Sequence, residues 1–110
     1  MTQLFHLAEP ANWAAAQTSG AYRQSTRDRT LADEGFIHAS TDGQWLGVRT
    51  RLYADFPGEL MLLVIDSELL RSEVRMEVGD PVTGELFPHV YGPIDVDAVV
   101  QVRRLEPPHA

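Results

Sequence analysis

His6, His38 and His89 stand in three short apolar stretches, with hydroxyl or carboxylate side chains close by. Near neutral pH an imidazole donates to or accepts from a ribose hydroxyl and serves as an acid or a base. The stretch Gly35-Phe36-Ile37-His38-Ala39-Ser40-Thr41 carries one imidazole and closes on two hydroxyls, just ahead of a helical pattern. Hydroxyls and free amides at a helix start bind phosphate or amide groups. Glu85 opens a third stretch, in which His89 and Tyr91 alternate with Val90 and so share one face. A glutamate facing a ribose orients its hydroxyl and stabilises an oxocarbenium-like centre. Each residue also has a plain structural reading. His6 and His38 can be satisfied within the core, Ser40 and Thr41 can be helix caps, and Glu85 can be a solvated strand start. His89 and Tyr91 can lie on a wet sheet surface, and the sequence leaves both readings open. The three histidines also permit an open zinc site. None lies at the short spacing that lets one element present two ligands, so no metal is expected.

The elements that must position these residues follow from hydrophobic periodicity. Leu4 to Ala8 reads as a first strand, with Phe5 and Leu7 on one face and Leu4, His6 and Ala8 on the other. Pro10 suits a helix start, Ala11 to Gln17 are helix formers and Gly20 a C-cap, with Trp13 as the anchor. Tyr22 to Glu34 is polar and reads as a surface loop, with one helical turn after the capping-box pattern at Thr30. Arg23, Arg27 and Arg29 in it form a basic cluster, read as ordinary solvated charge. Phe36 to Ala39 is the second strand. Thr41-Asp42-Gly43-Gln44 is again a capping-box pattern, and Gln44 to Tyr53 is the principal helix, with Trp45, Leu52 and Phe56 in the core.

Leu60 to Ile65 is an unbroken apolar run and predicts a central strand buried on both faces. A helical turn at 66–70 follows, then a half-exposed strand in which Val74, Met76 and Val78 alternate with Arg75 and Glu77. A turn at 80–84 leads to an extended stretch from Glu85 to Tyr91, with Pro88 favouring an edge or a kink. Ala98 to Val102 is the last strand, and the tail 106–110, His109 included, is expected to be flexible and idle. The fold class is α+β, with about six strands and two main helices in one domain spanning 1–110 and a core over 4–105.

With 110 residues, 44% hydrophobic and 23% charged, the chain has the bulk of an ordinary globular domain. It has no cysteine, which excludes disulfides and thiolate chemistry. The net charge of −7, with every basic residue an arginine, argues against nonspecific nucleic-acid binding. No apolar run approaches the ~20 residues of a membrane span, and Met1-Thr2-Gln3 does not open a signal peptide. The expectation is a cytoplasmic monomer.

Phe5-His6-Leu7, Glu34 to Thr41, and Glu85-Leu86-Phe87-Pro88-His89-Val90-Tyr91-Gly92-Pro93 resemble the three signatures of a small bacterial family, domain of unknown function 952. The similarity spans Leu4 to Leu105. It implies a small fold of the ADP-ribosyltransferase type, related to RNA 2′-phosphotransferases, with a split, mostly antiparallel sheet. In that wider group NAD lies between two small sheets, held by a residue of the first strand, a hydroxyl motif on a second and a late acidic residue. By order, His6, Ser40 with Thr41, and Glu85 resemble that layout, with Glu85 and His6 as catalytic candidates. His38, Ser40, Thr41, His89 and Tyr91 are then the ligand contacts. The several phosphate-binding arginines of the phosphotransferases are not matched, which argues against phosphotransfer. The resemblance therefore implies a nucleotide ligand, NAD as a substrate, and reaction at the nicotinamide-ribose bond. The alternative is a ligand-binding or interaction module that keeps the fold without catalysis.

Overall fold

Alternation in the first strand sorts the interior into two halves. In a computed structural model that describes residues 2–110, Gln3–Ala8 forms β1. Leu4 and Ala8 enter one apolar cluster, Phe5 and Leu7 the other, as the alternation predicts. Pro10–Ser19 forms α1, whose proline needs no amide partner in the first turn. It ends at Gly20, whose left-handed conformation lets its amide reach Ala16 O. Trp13 is buried as expected.

The stretch read as a loop is in fact built of short paired pieces. Ala21–Tyr22 is β2, Gln24–Thr26 is β3, Arg29–Thr30 is β4, and Leu31–Glu34 is α2, with a complete capping box between Thr30 and Asp33. Tyr22 and Ser25 are buried and anchor the segment to the interior, while Arg23, Asp28, Arg29 and Thr30 stay on the surface. Ile37–His38 forms β5 and Trp45–Tyr53 forms α3. Only half of the expected box precedes α3: the Thr41 amide donates to Gln44 Oε1 at 3.0 Å. Tyr53, not Leu52, is the buried residue of this helix, and Leu52 is exposed.

Leu60–Asp66 is β6, Glu73–Val78 is β7, Leu86–Tyr91 is β8, Ile94–Asp95 is β9 and Val99–Leu105 is β10. One sheet runs β1-β6-β10 and a second runs β5-β8-β7, every pair antiparallel. As predicted, β6 is central and buried on both faces. Leu63 and Ile65 pack with Leu4, Ala8 and Trp13, while Leu60, Leu62 and Val64 pack with Phe5, Leu7 and Tyr53.

Pro88 corrects the expected edge: β8 is the middle strand of its sheet. Its carbonyl accepts from the Ala39 amide at 3.0 Å, so its backbone faces the β5 side. The amide that proline lacks is thus missing just where β5 has ended, and the ladder to β7 is undisturbed. A single bridge, Phe5 with Ser40, joins the two sheets through reciprocal amide-carbonyl bonds of 2.8 Å each.

The tail is also corrected. His109 is buried, its Nε2 donating to Gly58 O at 2.7 Å and its Nδ1 accepting from Arg49 Nε at 3.0 Å. Arg49 reaches Glu106 O as well, at 2.9 Å, so 106–109 is fastened to α3 rather than loose. Among the described residues no helix is long and apolar enough to cross a membrane.

Candidate functional site

His6 lies mid-strand in β1, opposite Leu63 of β6. Its Nδ1 is 2.6 Å from His38 O and its Nε2 is 2.9 Å from Tyr22 Oη. A carbonyl only accepts, so Nδ1 carries the proton and Nε2 accepts from the tyrosine. Burial lowers the His6 pKa to about 4, outweighing the bond to His38 O. Burial also raises Tyr22 well above its ordinary value, so both rings stay neutral. His6 thus fixes the backbone of β5 at His38.

That anchoring shapes a cleft of about 260 Å³ between β1, β5, β8 and α3. Phe5, Leu7, Val48, Leu52 and Phe87 supply its apolar walls. His6, His38, Ser40, Thr26, Tyr53 and Arg51 supply its polar groups. The Ser40, Thr26 and Tyr53 hydroxyls have no hydrogen-bond partner among the described residues, nor does the Arg51 guanidinium. Burial, with Glu9 nearby, raises Tyr53 to about 12, which keeps its hydroxyl protonated and able to donate. Arg27 closes the far side of Tyr53, its guanidinium 5.6 Å from the ring centre and paired with Asp55 at 2.7 Å.

Beside the cleft, the outer face of the second sheet carries a chain of charged and aromatic groups. His38 and His89 are cross-strand partners whose rings meet edge to face at 5.2 Å. Glu34 accepts a hydrogen bond from His38 Nε2 through Oε1 at 3.1 Å and pairs with Arg29 through its other oxygen at 3.0 Å. His89 is 3% exposed, and its Nδ1 lies 2.9 Å from Glu77 Oε1. The Tyr91 hydroxyl donates to that same oxygen, and Arg75 lies over the Tyr91 ring at 4.6 Å. Tyr91 and then His89 hold Glu77 below the usual glutamate range, so it is an ionised acceptor. Phe36 stacks on His89 with ring centres 4.1 Å apart.

Of the residues singled out in the sequence, His6, His38 and Ser40 meet in the cleft. His89 and Tyr91 adjoin it through His38 and Phe36. Glu85 is not brought to them. It is exposed and accepts from Gln44 Nε2 at 2.9 Å, while Gln44 also donates to Leu86 O at 2.8 Å. Thr41 stands at that junction and does not line the cleft. The arginines of 23–29 do not converge either, since Arg27 turns to Asp55 and Arg29 to Glu34. Among the described residues no three His, Asp or Glu side chains are placed to hold a metal ion.

Glu77, Tyr22, Tyr53 and Arg51 were missed in the sequence. For Glu77 a signal existed. The turn at 80–84 sets the hairpin register Val78↔Leu86 and Arg75↔His89, which puts the polar alternation of both strands on one face.

The chain matches the family described as "Protein of unknown function (DUF952)" over residues 7–102, and it belongs to that family. It is similar to the crystal structure of protein CC0527 from Caulobacter crescentus, at 31% identity and a TM-score of 0.77, with 96% of this chain and 87% of that one covered. A double methionine variant of CC0527 superposes equally well at 30% identity, over the same shares of both chains. The solution structure of CC0527 gives a TM-score of 0.74 at 31% identity, over 96% of this chain and 86% of that one. No curated protein matches the chain.

Proposed function

We propose that this chain is a nucleotide-binding module of the ADP-ribosyltransferase-like type that holds its ligand in the cleft without cutting it. The carrying observation is the cleft's polar inventory: three unpartnered hydroxyls and one guanidinium without a hydrogen-bond partner among the described residues, set among apolar walls, with no carboxylate lining it. The guanidinium suits a phosphate and the hydroxyls suit ribose, while Phe87 and Leu52 offer a surface for a base or nicotinamide ring. At about 260 Å³ the cleft lies just below the usual range of roughly 300–1,000 Å³ for small-molecule sites. It fits one half of a dinucleotide such as NAD. Cleavage of the nicotinamide-ribose bond needs an anionic group facing the ribose. Glu85 spends its carboxylate on Gln44, and Glu34 and Glu77 spend theirs on the two histidines.

Calorimetric titration with NAD, ADP-ribose and AMP tests this reading. Wild type binds at least one of them. Arg51→Ala weakens that binding roughly tenfold, the worth of a charge-assisted hydrogen bond, while Glu85→Gln leaves it unchanged and NAD stays intact. Failure of all three to bind at millimolar concentration overturns the reading. NAD consumption abolished by Glu85→Gln would restore the transferase alternative.

A further inference from the structure

The Nε2 atom of His89 is a buried polar atom with no hydrogen-bond partner among the described residues. Leaving such an atom unsatisfied is costly, and in folded proteins it marks a missing partner or a chemical role. The tautomer of its neutral ring follows from its neighbours. Glu77 is ionised and already accepts from Tyr91, so it can only accept from His89 as well. The Nδ1 atom therefore carries a proton, and in the neutral ring Nε2 presents a bare lone pair.

Its direction follows too. The two nitrogens of an imidazole point to nearly opposite sides of the ring. Glu77 lies on β7 at one flank of β8, so Nε2 points to the other flank, where β5 runs and His38 is the direct cross-strand neighbour. His38 lines the cleft and is half-exposed, and its ring closes edge-on against His89 at 5.2 Å. One side chain thus separates the lone pair from the cleft, and that side chain is held by a hydrogen bond to Glu34 at 3.1 Å and by the Phe36 ring at 4.8 Å. Phe36 stacks on one face of the His89 ring.

We propose that His89 is a hydrogen-bond acceptor subsite at the inner end of the cleft, positioned by Glu77 and gated by His38. It takes an N–H or O–H donor, a ribose hydroxyl or a carboxamide, from the occupant of the cleft. Glu77 is a positioning residue: it sets the tautomer that leaves Nε2 bare, and Tyr91 sets Glu77. This subsite deepens the nucleotide reading, and its own geometry is testable without any nucleotide.

The first test uses diethyl pyrocarbonate on wild type and on His38→Ala, with the modified histidines mapped by mass. The Nε2 lone pair attacks a carbonyl carbon, the bond to ethyl carbonate breaks, and ethyl carbonate leaves as carbon dioxide and ethanol after taking up the Nδ1 proton. Removing the gate should speed modification of His89 about tenfold or more, the effect of restoring access to a nucleophile. An unchanged rate overturns the subsite. Nitrogen-15 spectra of the histidines give an independent signature. Wild-type His89 should show the Nδ1–H form, and Glu77→Ala should move it to the Nε2–H form. An unmoved tautomer overturns the positioning role. The second test measures ADP-ribose affinity in His89→Phe, which keeps the stacked ring and removes the lone pair. A loss of roughly tenfold is expected for one missing hydrogen bond, and wild-type affinity in this variant overturns the ligand contact. If ADP-ribose does not bind wild type, the nucleotide reading falls, and the modification rates alone decide the subsite.

Discussion

The imidazole of His6 resists protonation because it is enclosed, and that has a thermodynamic consequence. Its pKa falls from 6.5 to about 4 on folding, with burial as the main cause. In the unfolded chain it takes up a proton below pH 6.5, while the folded protein does not until about pH 4. The stability this group contributes is therefore fully present above the unfolded value and is lost as pH falls through that window. From the size of the shift the loss is about 3 kcal/mol. Urea melts between pH 7 and 4 should show the midpoint falling, and His6→Asn should flatten the fall. Glu77, Asp80 and Asp95 are also held low, so their losses come later, in the carboxylate range. At this scale the sequence was legible in type and ambiguous in role. A histidine between apolar neighbours could be core or pocket, and His6 is both, with its nitrogens spent on protein and its ring edge on the cleft. His109 was misread because its partners, Arg49 and Gly58, are remote in the chain.

The elements were legible wherever period and length agreed. β1 and β6 carry enough residues for their apolar pattern to show, and α1 is marked by Pro10, its run of helix formers and Gly20. The segment 21–30 was not legible, because strands of two and three residues have no period to read. β7 misled for another reason. Its apolar residues Met76 and Val78 share the face of Val74 but lie beyond the core and are exposed, while Arg75 and Glu77 on the opposite face reach Tyr91 and His89. The turn after β8 is stricter still. Gly92 sits at φ 151°, and a Cβ there would strike Ser72 Oγ, which donates to Pro93 O at 2.7 Å. Gly92→Ala should destabilise the protein by about 1–3 kcal/mol, read by thermal unfolding. The damage should appear at Ser72 and Tyr91 rather than in β6.

Across the whole molecule, two apolar clusters share one strand. β6 sends Leu63 and Ile65 to one side and Leu62 and Val64 to the other, all fully buried. Leu63→Ala should cost about 2–5 kcal/mol as a cavity in a core that cannot collapse around it. Chemical denaturation is the measurement, and a single cooperative transition should persist, since the central strand binds both clusters into one unit. The run at 60–65 announced this strand from its sequence. No sequence signal announced that the two sheets would touch at one bridge, because that pairing joins Phe5 to Ser40 across a long chain separation. The bridge has a mechanical meaning. β1 lies on one sheet and β5 on the other, and beside the Phe5–Ser40 rung the His6 side chain reaches His38 O across the same seam. The cleft lies along that seam, so a guest touching both Phe5 and Phe87 bears on both sheets at once and acts as a wedge between them.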